Sequence, residues 1–186
     1  KQNRVWIGTR GGGLYRINDP SKEPYVTLIP GPNPYINGLL IEGNEVWTAT
    51  ADGIFHAQNG EDFIQHRSQP SEDTLSNEFV YALFRDNSGI LWAGTRHGLN
   101  LHDPRTTLFR NFNHNPEDDT SLSDNTVLGM AQSGGYIWIG SVRGLNRLHL
   151  QSGRSQRFFH KADNPGSLSH NTVHALALDQ NNQLWV

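Results

Sequence analysis

Nine histidines are the side chains of this 186-residue sequence best suited to bind a metal or transfer a proton. They are His56, His66, His97, His102, His114, His149, His160, His170 and His174. None forms a His-Glu-x-x-His pattern or another paired metal spacing, and the chain has no cysteine to supply a thiolate. The histidines also do not fall at matching positions when the repeats of this chain are compared. The pattern predicts scattered polar histidines, no metal site and no cofactor.

Three short stretches could also do chemistry. Glu117-Asp118-Asp119 could hold Ca²⁺ together with loop carbonyls, but the matching loops carry only Glu72-Asp73 or no acid, which favours a solvated loop. Arg10-Gly11-Gly12-Gly13 lacks the Gly-Lys-Ser/Thr that grips phosphates. The serine in Gly140-Ser141-Val142-Arg143-Gly144 is misplaced for a nucleophile elbow. We therefore predict no catalytic residue.

Composition limits the partners. The net charge is −3 and charged residues make up 18% of the chain, so no basic patch for nucleic acid is expected. No apolar run approaches the ~18 residues that a membrane-spanning helix needs. We expect no nucleic acid binding and no membrane contact within this segment.

The tryptophans show how the chain is organised. Trp6, Trp47, Trp92, Trp138 and Trp185 recur at intervals of 41, 45, 46 and 47 residues, in similar β-prone surroundings. A period of about 40–50 residues built from short strands is typical of β-propeller blades. Trp92 and Trp138 are expected to lie in fully covered strands.

The third repeat illustrates the predicted blade. Phe79–Phe84 is apolar on both faces, Ile90–Thr95 carries the tryptophan, Leu99–His102 follows a turn, and Leu108–Phe112 alternates like an outer strand. The pattern of the first strand, apolar on both faces, recurs at Thr172–Leu178. Four glycines open the third strands: Gly13, Gly53, Gly98 and Gly144. Glycine is expected at these turns because it tolerates a positive φ.

The sequence thus predicts an all-β fold, a β-propeller of about four blades with four antiparallel strands each. The single propeller region over 1–186 divides approximately into blades 1–34, 35–69, 70–115 and 116–164 and a partial blade 165–186. Because the sequence starts and ends within a repeat, we interpret it as a fragment of a larger propeller. Open blade edges at Val5–Thr9 and Thr172–Val186 would favour self-association.

Three loops that precede first strands share a Ser-Leu-Ser-x-Asn-like element. They contain Thr74-Leu75-Ser76-Asn77, Ser121-Leu122-Ser123-Asp124-Asn125 and Ser167-Leu168-Ser169-His170-Asn171. Their polar side chains can fix a turn, and their leucines can pack between blades. Together with the Leu-Trp-Ala-Gly-Thr-x-x-Gly-Leu of Leu91–Leu99, these loops resemble the two-component regulator propeller repeat. The first repeat departs from the pattern, since Pro32–Tyr35 lacks the loop element and Ala49 replaces the usual glycine.

The resemblance implies a periplasmic sensor propeller, the extracytoplasmic part of a bacterial inner-membrane receptor. In this family a β-sandwich, a transmembrane helix and a cytoplasmic histidine kinase or diguanylate cyclase follow the propeller. None of those output modules lies in these residues. We therefore expect this segment to bind a ligand and transmit the signal without catalysis.

The predicted blade places the turns between second and third strands at one end of the ring, with the loops that enter the first strands. This end gathers five polar residues: Arg10, Asp52, Arg96, His97 and Arg143. Arginines at nearly equivalent turns could make forked hydrogen bonds to carboxylate or hydroxyl groups of a small-molecule or glycan ligand. We interpret these five residues as the ligand-binding set. Ordinary solvated turn residues are the alternative.

Two other functions fit the same fold. A propeller enzyme similar to streptogramin lyase would use a metal with a histidine and a glutamate near the axis, and no such pair is evident at matching positions. A structural propeller that docks other proteins is the second alternative.

Overall fold

A computed structural model describes residues 4–19, 25–69, 74–103 and 109–186. All regular secondary structure within these ranges is β, as the sequence predicts. No helix within the same ranges is long and apolar enough to cross a membrane.

The strands of the described residues form five consecutive antiparallel sheets, which we call blades 1 to 5. Blade 1 contains β1 (Arg4–Gly8), β2 (Leu14–Asn18) and β3 (Val26–Ile29). Blade 2 contains β4 (Ile36–Glu42), β5 (Glu45–Thr50), β6 (Gly53–Gln58) and β7 (Glu61–His66). Blade 3 contains β8 (Val80–Arg85), β9 (Leu91–Thr95), β10 (Gly98–His102) and β11 (Phe109–Phe112). Blade 4 contains β12 (Val127–Ser133), β13 (Tyr136–Ser141), β14 (Gly144–His149) and β15 (Ser155–Phe158). Blade 5 contains β16 (Ala177–Leu178) and β17 (Leu184–Trp185).

The hydrophobic core lies between successive blades. Side chains alternate along a strand, so Trp92 of β9 packs towards Ile137 and Ile139 of blade 4, whereas its neighbour Leu91 packs towards Trp47 of blade 2. The first strands β4, β8 and β12 contact one another in sequence. This stacking of four-stranded sheets confirms the predicted propeller blades and explains why the strands are apolar on both faces.

Two sequence features create this arrangement. Leu75 and Leu122 of the loops are buried in the clusters between blades 2 and 3 and between blades 3 and 4. The four glycines that open the third strands have φ values of 91°, 93°, 114° and 140°, which confirms the expected turn. At Gly144 a Cβ atom would also lie 2.8 Å from the carbonyl oxygen of Phe158, so no larger residue fits there.

Blade 5 differs from the prediction. A first strand was expected at Thr172–Leu178, but only Ala177 and Leu178 pair with another strand. Among the described residues their partner is β17, which has only two residues. This hairpin covers the adjacent face of blade 4 only in part. Trp138 is consequently half-buried, and the expectation of a fully covered strand is wrong there but right for Trp92. Leu108 and the acidic pair Glu72-Asp73 lie outside the described residues.

Candidate functional site

One end of the blades brings turns and loops together, and we call it the upper end. It contains the turns between second and third strands and the inter-blade loops, which lead from one blade into the first strand of the next. The backbone N–H of Gly53 donates to the carbonyl of Glu78 (2.7 Å), and that of Gly98 donates to the carbonyl of Asn125 (2.6 Å). Each turn is thereby fixed beside the next inter-blade loop.

All five residues of the predicted ligand-binding set lie in these turns. Arg10 follows β1, Asp52 lies between β5 and β6, Arg96 and His97 lie between β9 and β10, and Arg143 lies between β13 and β14. All except Asp52 are exposed. The three guanidinium groups make no hydrogen bond or ion pair with any other residue that the structure describes. They are therefore available to a ligand.

The turn that carries Arg96 and His97 is rigid. The Thr95 hydroxyl donates to the carbonyl of Gly98 (2.9 Å) and accepts from the backbone N–H of His97 (3.1 Å). The backbone N–H of Arg96 donates to the carbonyl of Phe79 (3.0 Å). Such a turn presents its polar side chains from a fixed backbone, which reduces the entropy lost on binding.

Asp52 has a different environment from the arginines. Its Oδ2 accepts hydrogen bonds from Arg67 Nη2 (2.7 Å) and Gln65 Nε2 (3.1 Å), both from the same blade. The carboxylate therefore already stabilises the outer strand of blade 2, and only its other oxygen remains to contact a ligand.

The inter-blade loops are held by buried asparagines that sequence reasoning missed. The backbone N–H of Ser76 donates to Asn100 Oδ1 (2.7 Å), and Asn100 Nδ2 donates to the Ser76 hydroxyl (3.0 Å). In blade 4 the backbone N–H of Ser123 donates to Asn146 Oδ1 in the same way (2.7 Å). We call this contact the Ser–Asn clasp. The recurring Gly-Leu-Asn at the start of β10 and β14 is the signal that could have revealed it.

Two histidines also hold these loops. His114 Nδ1 lies 2.6 Å from the carbonyl oxygen of Leu122, and His160 Nδ1 lies 2.6 Å from that of Leu168. A carbonyl oxygen can only accept a hydrogen bond, so the Nδ1 atom of each histidine carries the proton and donates. The two histidines occupy equivalent positions, and the prediction that the histidines are scattered is wrong for this pair.

The acidic cluster of the Glu117–Asp119 loop bonds to protein groups. Hydrogen bonds from the hydroxyl and the backbone N–H of Thr120 lower the pKa of Asp118. The mostly buried Arg157 donates to the carbonyl of Asp118 (2.6 Å) and to the hydroxyl of Ser121 (2.7 Å). In the part of the chain that the structure describes, no group of three or more His, Asp or Glu residues could hold a metal ion.

The innermost strands carry β-bulges near the upper end. The pairing register shifts at Asn37 in β4, at Tyr81 in β8 and at Leu128 in β12. Bulges redirect side chains and often border functional sites. Tyr81 packs against the ring of Phe79 (4.9 Å between centroids), and Asn37 Nδ2 donates to the carbonyl of Val80 (2.8 Å). Apolar alternation alone does not reveal a bulge, so the sequence analysis missed these residues.

A cluster of histidines and aromatic rings lies between blades 2 and 3. His56 stacks on Trp47 (3.8 Å between centroids), and the ring of His66 lies 6.3 Å from that of His102. Burial lowers the pKa of His56; Glu45 opposes this shift, and Arg85 and His102 add to it. Burial also lowers the pKa of His66, with smaller contributions from His102 and His56.

Residues 74–97 match the family model of the two component regulator propeller. This segment includes Ser76 of the clasp and the exposed Arg96 and His97. The chain thus has propeller blades and contains one segment that matches the two component regulator propeller repeat, which confirms the resemblance found in the sequence.

Several solved structures share the fold. The extracellular domain of BT3049 from B. thetaiotaomicron, described as belonging to a hybrid two component system, aligns with 82% of this chain and 22% of its own length (TM-score 0.72, 23% identity). The extracellular domain of BT4673 from the same organism, described as a one component system, aligns with 98% of this chain and 30% of its own length (TM-score 0.68, 15% identity). Virginiamycin B lyase from Staphylococcus aureus aligns with all of this chain and 59% of its own length (TM-score 0.71, 14% identity).

These similarities show a shared fold. The chain spans less than a third of the length of either B. thetaiotaomicron domain. No protein of curated function matches the sequence.

Proposed function

We propose that this chain is part of the ligand-sensing, extracytoplasmic propeller of a bacterial two-component-type receptor. It binds a small-molecule or glycan ligand at the upper end and transmits the signal without catalysis. The observation that carries the proposal is the set of exposed arginines on the hydrogen-bonded turns of blades 1, 3 and 4. The family match and the extracellular domains of similar fold support the class of receptor and its periplasmic location.

The chemistry of these turns favours an acidic ligand. Arg96 and Arg143 lie at corresponding turns of neighbouring blades, so one extended ligand could contact both guanidinium groups. A guanidinium pairs with a carboxylate through two parallel hydrogen bonds, which also fixes the orientation of the ligand. His97 adds a further polar side chain on the same turn, and Arg10 extends the set to blade 1.

Titration calorimetry of the 186-residue chain tests this proposal. The probes are oligosaccharides that contain uronic acids, neutral oligosaccharides of the same length, and free glucuronate. We expect the acidic oligosaccharides to bind and their affinity to fall as salt is raised, because ion pairs with exposed arginines are screened. Stronger binding of the neutral oligosaccharides, or affinity independent of salt, would contradict a site built on these arginines.

A further inference from the structure

The outer strands of blades 2, 3 and 4 share a position that faces the preceding blade. In blade 3 this residue is Phe109, which pairs with His102 of β10 and is buried in the same cluster as Trp47 of blade 2. In blade 2 the strand pairing gives Phe63 as the equivalent residue, and it packs against the cluster that contains Leu14 of blade 1. A phenylalanine ring therefore fills this part of the interface in both cases.

Blade 4 carries a serine at the same position. Ser155 pairs with Leu148 of β14, as Phe109 pairs with its own partner in blade 3. A serine side chain fills much less space than a phenylalanine ring, and a cavity of about 370 Å³ lies here between blades 3 and 4. Its apolar lining consists of Phe112, Leu122 and Leu148. A cavity of this volume is in the range of small-molecule sites.

The hydroxyl group of Ser155 has no partner in this cavity. The residue is 7% exposed, and its Oγ is buried without a hydrogen bond to any residue that the structure describes. A buried hydroxyl without a partner is unfavourable, and such groups are nearly always satisfied in folded proteins. The cavity therefore suits a ligand that has an apolar ring and a hydrogen-bonding group.

The rim of the cavity carries one charge of each sign. Asp118 Oδ1 accepts from the hydroxyl (2.7 Å) and the backbone N–H (2.8 Å) of Thr120, whereas Oδ2 has no partner among the described residues. The exposed guanidinium of Arg154 makes no hydrogen bond or ion pair within the same part of the chain. The bonds from Thr120, helped by the charge of Arg154, lower the pKa of Asp118, so its carboxylate is ionised at neutral pH.

We propose that this cavity binds a phenolic amino acid, of which free tyrosine is the simplest. The ring lies beside Phe112, in the space that Phe109 fills in blade 3, and the phenol hydroxyl bonds to Ser155. At the rim the ammonium group pairs with Asp118 and the carboxylate pairs with Arg154. The site lies between the outer strands of two blades and uses none of the arginines of the upper end.

NMR titration of the 186-residue chain with tyrosine, phenylalanine and tyramine tests the proposal. We expect tyrosine to bind, and phenylalanine to bind about 3–10-fold more weakly because it leaves the Ser155 hydroxyl unpaired. Tyramine should also bind more weakly than tyrosine, because it has no carboxylate for Arg154.

Two substitutions of Ser155 separate the hydrogen bond from the cavity itself. Ser155→Ala should weaken tyrosine binding by the same factor and leave phenylalanine binding unchanged. Ser155→Phe copies the residue of blade 3 into the cavity and should abolish the binding of both amino acids. Ser88→Ala, an exposed serine outside the cavity, is the matched control and should bind like the parent.

Three outcomes would overturn the proposal. If tyrosine does not bind at millimolar concentration, the cavity holds water only. If Ser155→Ala binds tyrosine like the parent, the phenol does not bond to this hydroxyl. If Ser155→Phe still binds tyrosine, the ligand lies elsewhere. None of these results bears on the upper end, because the Arg96→Ala, Arg143→Ala double variant should bind tyrosine like the parent.

Discussion

At the residue scale, Trp92 connects the repeat to the stability of the fold. Its indole N–H donates to Asp86 Oδ2 (2.9 Å), and the other carboxylate oxygen of Asp86 accepts from the backbone N–H groups of Ser88 and Ile90. One buried carboxylate thus fixes both the turn after β8 and the orientation of the ring. Asp179 makes the same three kinds of bond, with Trp185 as its indole partner, but on the exposed blade 5.

These two tryptophans provide a matched test of burial. Trp92→Ala removes a ring that is 1% exposed and should lower the free energy of unfolding by about 3–5 kcal/mol. Trp185→Ala should cost less than about 1 kcal/mol, since most of the ring already contacts solvent. Urea denaturation, at a concentration where the parent is monomeric, measures both. Similar losses at the two positions would show that the blade boundaries are misplaced.

The histidines between blades 2 and 3 predict a dependence on pH. Their folded pKa values lie below the usual value, so the unfolded chain binds protons more readily. Stability should therefore be greatest above a pH of about 6.5 and fall as the pH drops through that value towards the lower folded pKa values. The groups that face them are Glu45, Arg85 and His102.

Urea midpoints between pH 8 and pH 5 test this for the parent and for His66→Phe. The substitution should flatten the acid-induced loss, because one proton that the unfolded chain takes up is removed. His97→Phe on the exposed turn is the control and should follow the parent. If the His66→Phe variant lost as much stability as the parent between pH 8 and pH 5, His66 would not be a source of the pH dependence.

At the scale of elements, the Ser–Asn clasp joins the inter-blade loops that enter blades 3 and 4 to the third strand of the same blade. Asn100→Ala leaves the half-buried N–H of Ser76 without its acceptor, which should cost about 1–3 kcal/mol. Because Asn100 Nδ2 donates to the Ser76 hydroxyl, Ser76→Ala combined with Asn100→Ala should show a coupling energy of about 0.5–3 kcal/mol.

A double-mutant cycle from urea denaturation measures this coupling. The control cycle pairs Ser76→Ala with Asn146→Ala, which belong to different blades, and should be additive. Coupling in the control cycle, or no coupling between Ser76 and Asn100, would contradict a direct stabilising contact between these two residues.

The sequence could predict these elements but not their contacts. Short apolar runs and the glycines at the turns located most strands, because strand alternation and positive φ are local properties. Asn100 bonds to a loop 24 residues earlier in the chain. Such a partner depends on how a loop folds back over its blade, and no local pattern encodes that.

At the scale of the whole molecule, the tryptophan period was sufficient to predict stacked blades, because each repeat must bury its apolar faces against the next. The period could not predict how well the outermost blades are covered. Trp138 and Trp185 have sequence surroundings similar to those of Trp92 but are less buried, since burial depends on the neighbouring blade.

The same limit applies to the candidate site. Strand order placed all five polar residues in the turns between second and third strands. It could not show that the side chain of Asp52 is bonded to Arg67, whereas the guanidinium groups of Arg96 and Arg143 have no partner among the described residues. Which turn residues are free depends on the outer strand of each blade, which the turn sequence does not specify.

The affinity of the Arg96→Ala, Arg143→Ala double variant for the acidic oligosaccharides tests the central claim most directly. Both residues are exposed, so unfolding free energy should change by less than about 0.5 kcal/mol per site. We predict that the affinity falls at least about tenfold, a loss of roughly 1.4 kcal/mol. Arg154→Ala, an exposed arginine between β14 and β15 at the opposite end of the blades, should bind like the parent. A folded double variant that binds with the parent's affinity would contradict a ligand site at the upper end.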